Sequence, residues 1–269
     1  MGAISKTILP AAARCGLPVV TAVLALGLWE LAVRVQHVPV FVLPPPSAIF
    51  RSLATDFPLL AASALVTLRI AAAAFAIALI CGVATAIVFA QSRIIELALA
   101  PYALMLQVTP FIAIAPLIII WVGDGHAERA LLILASMVGF FPILSGTLLG
   151  FRSLDPQLGD LFTLYGANPW QRFVWLRFPA ALPHLLAAMK VSAGLSLIGC
   201  IAAEFVAGSG ATQGLAWRII EAGNRLLIAR MFACVVLLAV IGITVYYTLT
   251  LLEYLLLRRW HASYTSRSR

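Results

Sequence analysis

Between Arg69 and Arg93 the chain carries no charged residue, and between Glu96 and Asp124 it carries none again. An uncharged apolar run of about 20 residues or more matches the thickness of a bilayer. In hydrocarbon every backbone N–H and C=O must be satisfied within the protein, so such runs fold as helices. Further apolar runs follow at residues 130–151, 184–205 and 228–254, and one precedes them at 16–36. With 63% hydrophobic and only 10% charged residues, the chain lies far outside the range of soluble domains, about 45–50% apolar and about 25% charged. A soluble enzyme is excluded on those grounds. A length of 269 residues leaves room for about five to seven spans.

The net charge of +8 would suggest nucleic acid in a soluble protein. Here the basic residues sit in short loops and at the ends of apolar runs, the pattern of positive-inside anchoring, so no nucleic-acid partner is expected. Cys15, Cys81, Cys200 and Cys234 lie far apart inside apolar runs and form no CxxC pair. They read as inert buried thiols, with neither a metal site nor a disulfide framework.

Lys6 and Arg14 precede the first apolar run. A basic flank before an apolar core also occurs in signal peptides, but no small-residue cleavage site follows, and LWELAVRV continues the pattern. A first span over 16–36 is expected. Pro44, Pro45 and Pro46 stop the helix, Ser47 reads as the N-cap of the next, and residues 47–57 form a short interfacial amphipathic piece. The remaining spans are expected at 65–91, 100–122, 130–151, 184–205 and 228–254. The span at 100–122 contains Pro101, Pro110 and Pro116 with the polar Gln107 and Thr109 around them. Two readings stand: a proline-kinked structural helix, or one lining a translocation path.

Polar groups within spans are the candidates for that path: Gln107, Thr109, Lys190, Ser192, Ser196 and Glu204. Lys190 is equally able to extend its amine towards the surface. GSGATQG at 208–214 breaks the helix, and residues 215–224 read as an interfacial piece.

Asp160–Pro183, DLFTLYGANPWQRFVWLRFPAALP, is a different kind of segment. Aromatics alternate with Arg172 and Arg177, while Gly166, Pro179 and Pro183 punctuate it. It reads as a surface held just outside the bilayer, with Phe162, Tyr165, Trp170 and Phe173 as its apolar face. Gly166 permits backbone conformations closed to other residues, the Asn168-Pro169 pair favours a turn, and Asp160 near a helix start suits its positive end. An amphipathic helix lying on lipid would have the same composition. Six spans put both termini and this segment on one side. Ten of the Lys and Arg residues then fall on that side and seven on the other, with Lys190 in the membrane. The excess, strengthened by the basic tail 258–269, makes that side cytoplasmic.

The segment resembles the cytoplasmic signature of the membrane-spanning subunits of bacterial ATP-binding-cassette importers: EAA, three residues, Gly, nine residues, then I-x-L-P. Asp160, Leu161 and Phe162 stand at the EAA positions, Gly166 at the glycine, and Leu176-Arg177-Phe178-Pro179 at the end. The spacing matches throughout, while the first three positions keep the acid and replace both alanines. LPPPSAIF at Leu43–Phe50, the stretches Thr109–Gly125 and Phe140–Pro156, and AEF at Ala203–Phe205 are similar to recurring blocks of the nitrate, sulfonate and taurine branch.

The resemblance implies an all-α polytopic membrane protein of about six transmembrane helices. A cytoplasmic coupling helix would lie between spans four and five, as in type I importers, within one permease domain over 1–269. It implies a coupling segment at 156–178 with Asp160, Leu161, Phe162, Tyr165, Gly166, Ala167, Trp170 and Pro179 as ATPase-coupling residues. It also implies the partners: two copies of an ATP-binding subunit, a second copy of this chain, an extracytoplasmic solute-binding protein and membrane lipid. The setting is the bacterial inner membrane with both termini cytoplasmic. No Gly-x-x-x-x-Gly-Lys-Ser/Thr loop occurs, so ATP and Mg are expected on the partner and no catalytic residue in this chain. The expected solute is a small anion such as a sulfonate, taurine or nitrate, with a pyrimidine-like vitamin precursor or an aromatic carboxylate as alternatives. An ion-coupled secondary transporter using Lys190 and Glu204 would show paired internal repeats with mid-membrane acids, and neither is present. A purely structural membrane subunit leaves the coupling segment unexplained.

Overall fold

A computed structural model describes residues 11–123, 125–207 and 212–258, excepting the side chains of 11–15. Lys6, Asp124, most of the GSGATQG break and the basic tail beyond Arg258 lie outside the described residues, as do the side chains of Arg14 and Cys15. All regular structure among the described residues is helical. Five stretches are long and apolar enough to cross a membrane: Gly16–Val35, Phe57–Gln91, Ala127–Arg152, Pro169–Ala207 and Ile228–Leu257. The bent pair Arg93–Val108 and Phe111–Val122 makes a sixth if its two helices are counted together as one span. We name the elements α1 (Ala11–Val35), α2 (Pro46–Thr55), α3 (Phe57–Gln91), α4 (Arg93–Val108), α5 (Phe111–Val122) and α6 (Ala127–Arg152). They continue with α7 (Pro156–Leu164), α8 (Pro169–Arg172), α9 (Phe178–Ala207), α10 (Leu215–Asn224) and α11 (Ile228–Leu257).

The centre is α3, α6 and α9. Lipid tails are as apolar as leucine, so such helices associate through close packing, and small residues allow it. A Cβ added at Gly139 would collide with the Ser196 hydroxyl, one at Gly146 with Ala188, and one at Gly150 with Ala181, each pair joining α6 to α9. On the other flank of α6, a Cβ at Gly82 of α3 would stand 2.7 Å from Ile143. Around this seam Ala74, Leu134, Ala135 and Cys200 are sealed from the surface. Cys200 and Cys234 are buried free thiols as expected, but Cys81 is exposed.

Three local expectations change. Ser47 is not the N-cap of α2: Pro46 occupies the first turn, where its missing N–H costs nothing, and Pro45 precedes it in an extended conformation. The Ser47 N–H and hydroxyl instead donate to the Glu30 carboxylate at 3.0 and 2.8 Å, fastening α2 to α1. Residues 100–122 are not one continuous helix, because α4 and α5 meet at 96°. Thr109, preceding Pro110, is forced out of the helical region (ψ 123°), whereas Pro101 and Pro116 are carried inside their helices. Nor does the fifth span start at His184. The chain is helical from Pro169 to Ala207, with a widened π-helical turn at Phe173–Arg177 immediately before Pro179. Pro179 lacks an N–H and leaves a carbonyl one turn earlier without its usual donor, and the wider turn accommodates that loss.

At the end of the bundle opposite α7, Asp56 joins α11 to the α2–α3 junction. Arg230 donates to both its carboxylate oxygens at 2.8 Å. The Arg230 hydrogen bonds hold the Asp56 carboxyl below its usual range, against the opposing effect of partial burial.

Candidate functional site

The segment between α6 and α9 folds as two short helices joined by a tight turn. Asp155, not Asp160, caps the first: its carboxylate accepts from the Gln157 N–H at 2.9 Å, and Asp160 is an exposed residue in the middle of α7. The acid nearest the helix start is favoured there by the exposed N–H groups. Gly166 adopts φ +67°. The Gly166 N–H donates to Thr163 and the Ala167 N–H to Phe162, both at 3.0 Å, a Schellman closure that needs the left-handed residue in the middle. Asn168 and Gln171 then exchange side chain-to-backbone hydrogen bonds at 2.8 and 2.9 Å, a capping box that starts α8. Arg172 donates to the Ala167 carbonyl at 3.1 Å and braces the turn.

These bonds present a concavity of about 270 Å3 lined by Leu161, Phe162, Tyr165, Ala167, Gln171 and Trp175. Tyr165 is 83% exposed and Trp175 72%. Exposed apolar patches of this size, rimmed by polar residues, are typical of surfaces that contact a partner protein or a membrane. The expected aromatic face is partly rearranged. Phe173 turns inward onto Phe151 at 6.0 Å, and Trp170 stacks on Phe173 at 6.1 Å. Trp175, which spacing did not single out, takes the outward place, because the π-helical turn rotates residues 173–177 relative to a regular helix. Pro179 is the second residue of α9, partly buried beneath this surface.

The candidate path residues separate into two groups. Gln107 and Thr109 share a cavity of about 290 Å3 at the α4–α5 break, with Phe111, Phe141 and Leu195 among its walls. Thr109 closes the end of α4 by donating its hydroxyl to the Met105 carbonyl at 2.6 Å. The other four face neighbouring helices of the same chain. Ser192 is buried and donates to the Gly139 carbonyl at 2.7 Å, while Ser196 is buried against Gly139. Glu204 is 4% exposed and accepts from the Gly214 N–H at 2.6 Å, the Ala216 N–H at 3.2 Å and the Thr212 hydroxyl at 2.9 Å. It therefore holds the start of α10, and Thr67 of α3 assists by accepting from the Leu215 N–H at 2.9 Å. Lys190 meets Glu253 of α11 at 2.6 Å. Lys190 and Glu204 thus have separate partners and form no ion-linked pair. Glu253 was legible as an acid inside the last apolar run; Thr67 and Gly214 carried no local signal.

The chain matches the family described as Binding-protein-dependent transport system inner membrane component over residues 78–261. It is 36% identical to the riboflavin transport system permease protein RibX of Chloroflexus aurantiacus over 252 residues, covering 92% of this chain and 91% of that one. It is 27% identical to the taurine transport system permease protein TauC of Escherichia coli over 241 residues, 87% and 86% of the two chains. A crystal structure of an amino acid ABC transporter with histidines superposes with a TM-score of 0.62 at 18% identity. That superposition covers 78% of this chain and 98% of the other, and shows the fold.

Proposed function

Because the chain belongs to the family of Binding-protein-dependent transport system inner membrane components, the permeases of ATP-binding-cassette transporters, we propose that it forms half of an importer's solute path and takes its drive from a separate ATPase docked on the α7–α8 concavity. The observation that carries this is the coincidence of the coupling spacing, Asp160 to Pro179, with an exposed aromatic concavity on capped helices. Leu161, Phe162, Tyr165, Gly166, Ala167 and Trp170 are then coupling residues, joined by Gln171 and Trp175. This end of the bundle is cytoplasmic, as are both termini, in the bacterial inner membrane. A second copy of the chain completes the pore, two ATP-binding subunits hold ATP and Mg, and a solute-binding protein delivers from outside.

The continuous helix from Pro169 to Ala207 supports a lever mechanism. A push on Trp175 or Trp170 moves α9 without an intervening flexible joint. Close packing through Gly139, Gly146 and Gly150 carries α6 along. The α4–α5 break lies beside both helices, so its cavity, with Gln107 and Thr109, changes accessibility as they pivot.

That cavity supports an uncharged, partly aromatic solute: its walls are apolar and aromatic with an amide and a hydroxyl, and none of its lining residues is Lys or Arg. The 36% identity to a riboflavin permease agrees with this. Transport of a small anion such as a sulfonate, taurine or nitrate is the second reading, favoured by the likeness to TauC. Co-expression with the candidate ATPase and uptake into vesicles tests both levels. Co-purification with ATP-dependent uptake of riboflavin in preference to taurine supports the first reading. Uptake without any ATPase would overturn the importer assignment, and preference for taurine would reverse the order of solutes.

A further inference from the structure

Where α3 ends and α4 begins, a cavity of about 400 Å3 opens beside the coupling segment, lined by Phe89, Arg93, Glu96, Phe151, Arg152 and Arg177 among others. This volume falls within the range of small-molecule sites, about 300–1,000 Å3. Arg93 and Arg152 both engage Glu96 through one terminal nitrogen, Arg93 at 3.0 Å. Three guanidiniums around one carboxylate leave the lining with two positive charges in excess. Each guanidinium carries five donors, so neither arginine is saturated by Glu96. Arg177 is exposed, and its guanidinium makes no hydrogen bond or ion pair among the described residues. Like charges gathered in this way repel unless an anion joins them, and planar forks suit phosphate oxygens.

Two observations favour a lipid as the source of that anion. The cavity lies at the ends of two membrane-length helices, α3 at Gln91 and α6 at Arg152, which places it at headgroup level. Ile94 and Leu97, adjacent in sequence to Arg93 and Glu96, are exposed apolar residues suited to acyl chains. We propose that Arg93, Arg152 and Arg177 bind the phosphate of an anionic membrane lipid, which ties α4 and α6 to the coupling segment. The site rests on the permease assignment only for its cytoplasmic side, where anionic lipid concentrates.

The test uses the full-length chain, alone and with its ATPase, exchanged from mixed phosphatidylglycerol and phosphatidylcholine nanodiscs into zwitterionic detergent, with retained lipid quantified by mass spectrometry. Phosphatidylglycerol is expected to be retained over phosphatidylcholine. Arg177→Gln should lower that retention about fivefold, the worth of one arginine near a charged surface, while Arg177→Lys preserves most of it. Removing Arg177 frees no buried carboxylate, so folding is preserved. Equal retention of the two lipids, or unchanged retention in Arg177→Gln, overturns the site. Displacement by millimolar inorganic phosphate assigns it to free phosphate rather than lipid. Loss of retained lipid on binding the ATPase shows that the arginines serve the partner protein. Lipid retention by the lone chain is independent of ATPase co-purification, so failure of this proposal and failure of the importer assignment are distinguishable.

Discussion

Lys190 of α9 and Glu253 of α11 meet at 2.6 Å, with their side chains only 20% and 13% exposed. They join the helix that continues the α7–α8 segment to the last helix among the described residues. Between these helices and α3, further along, lies an apolar groove lined by Leu68, Ala193, Leu197, Val240 and Thr244. The ion pair is therefore a polar fastening beside a region where α9 and α11 stand apart. Breaking a largely buried pair removes an ionic partner from a desolvated charge, so Lys190→Met or Glu253→Gln alone is expected to destabilise by about 3 kcal/mol. The exchange Lys190→Glu with Glu253→Lys should recover most of it. Thermal unfolding of the four proteins in detergent measures the cycle; equal effects in the singles and the exchange would remove the pair's structural role.

Gly166→Val forces a β-branched residue into φ +67°. The turn closed by Thr163 and Phe162 opens, and the concavity loses its shape. We expect normal membrane insertion with ATP-driven uptake below about a tenth of wild type, since the local strain is only about 1–2 kcal/mol. Wild-type uptake by this variant would count heavily against the coupling role.

Trp175→Ala removes the outward aromatic that spacing did not reveal. Large exposed aromatics dominate interface energies, with losses of about 2 kcal/mol or more on truncation. ATPase affinity should fall at least about tenfold, while the thermal stability of the lone chain barely moves. Titration of labelled ATPase against nanodisc-held permease measures it.

Gly214→Ala places a methyl 2.5 Å from both Glu204 carboxylate oxygens and 2.7 Å from the Thr67 hydroxyl. Overpacking here displaces α10 and costs about 2 kcal/mol. Amide exchange should rise in residues 215–224 before it rises in α3 or α6; a uniform change would mean that Glu204 does not specifically hold α10.

Asp56 links stability to pH. Its carboxyl is held low in the folded protein first by Arg230, so the unfolded chain binds its proton more readily. The stabilisation is complete above the unfolded value, about 3.9, and is lost as pH falls through the folded value. The melting-temperature gap between wild type and Asp56→Asn should be constant from pH 7 to 5 and shrink below about pH 4. A gap that closes between pH 7 and 5 would assign it to another group.

Much of this was legible without coordinates. Apolar runs of about 20 residues or more pointed to the membrane-length helices, and the break at Thr109-Pro110 was marked by proline, although its 96° bend was not. Gly166 and Asn168 announced their turn because left-handed backbone and helix caps are local demands, set within four or five residues. Asp160 was expected near a helix start, but α7 begins earlier, at Pro156 with Asp155 as its N-cap, so Asp160 lies in mid-helix.

The sequence by itself determined which stretches are long and apolar enough to cross a membrane, since that follows from transfer free energy summed along the chain. Only the tertiary structure decided where the polar side chains of those stretches point. Ser192 and Ser196 turn to Gly139, Glu204 turns to the start of α10, and Lys190 turns to Glu253, while Gln107 and Thr109 line an open cavity. A helix's polarity is written in its residues, but the direction it faces depends on partners in other elements, 53 positions away for Ser192 and Gly139 and 63 for Lys190 and Glu253. Phe173 finds such a partner in Phe151, whereas Tyr165, Trp170 and Trp175 stay largely exposed on the outward side of the same segment.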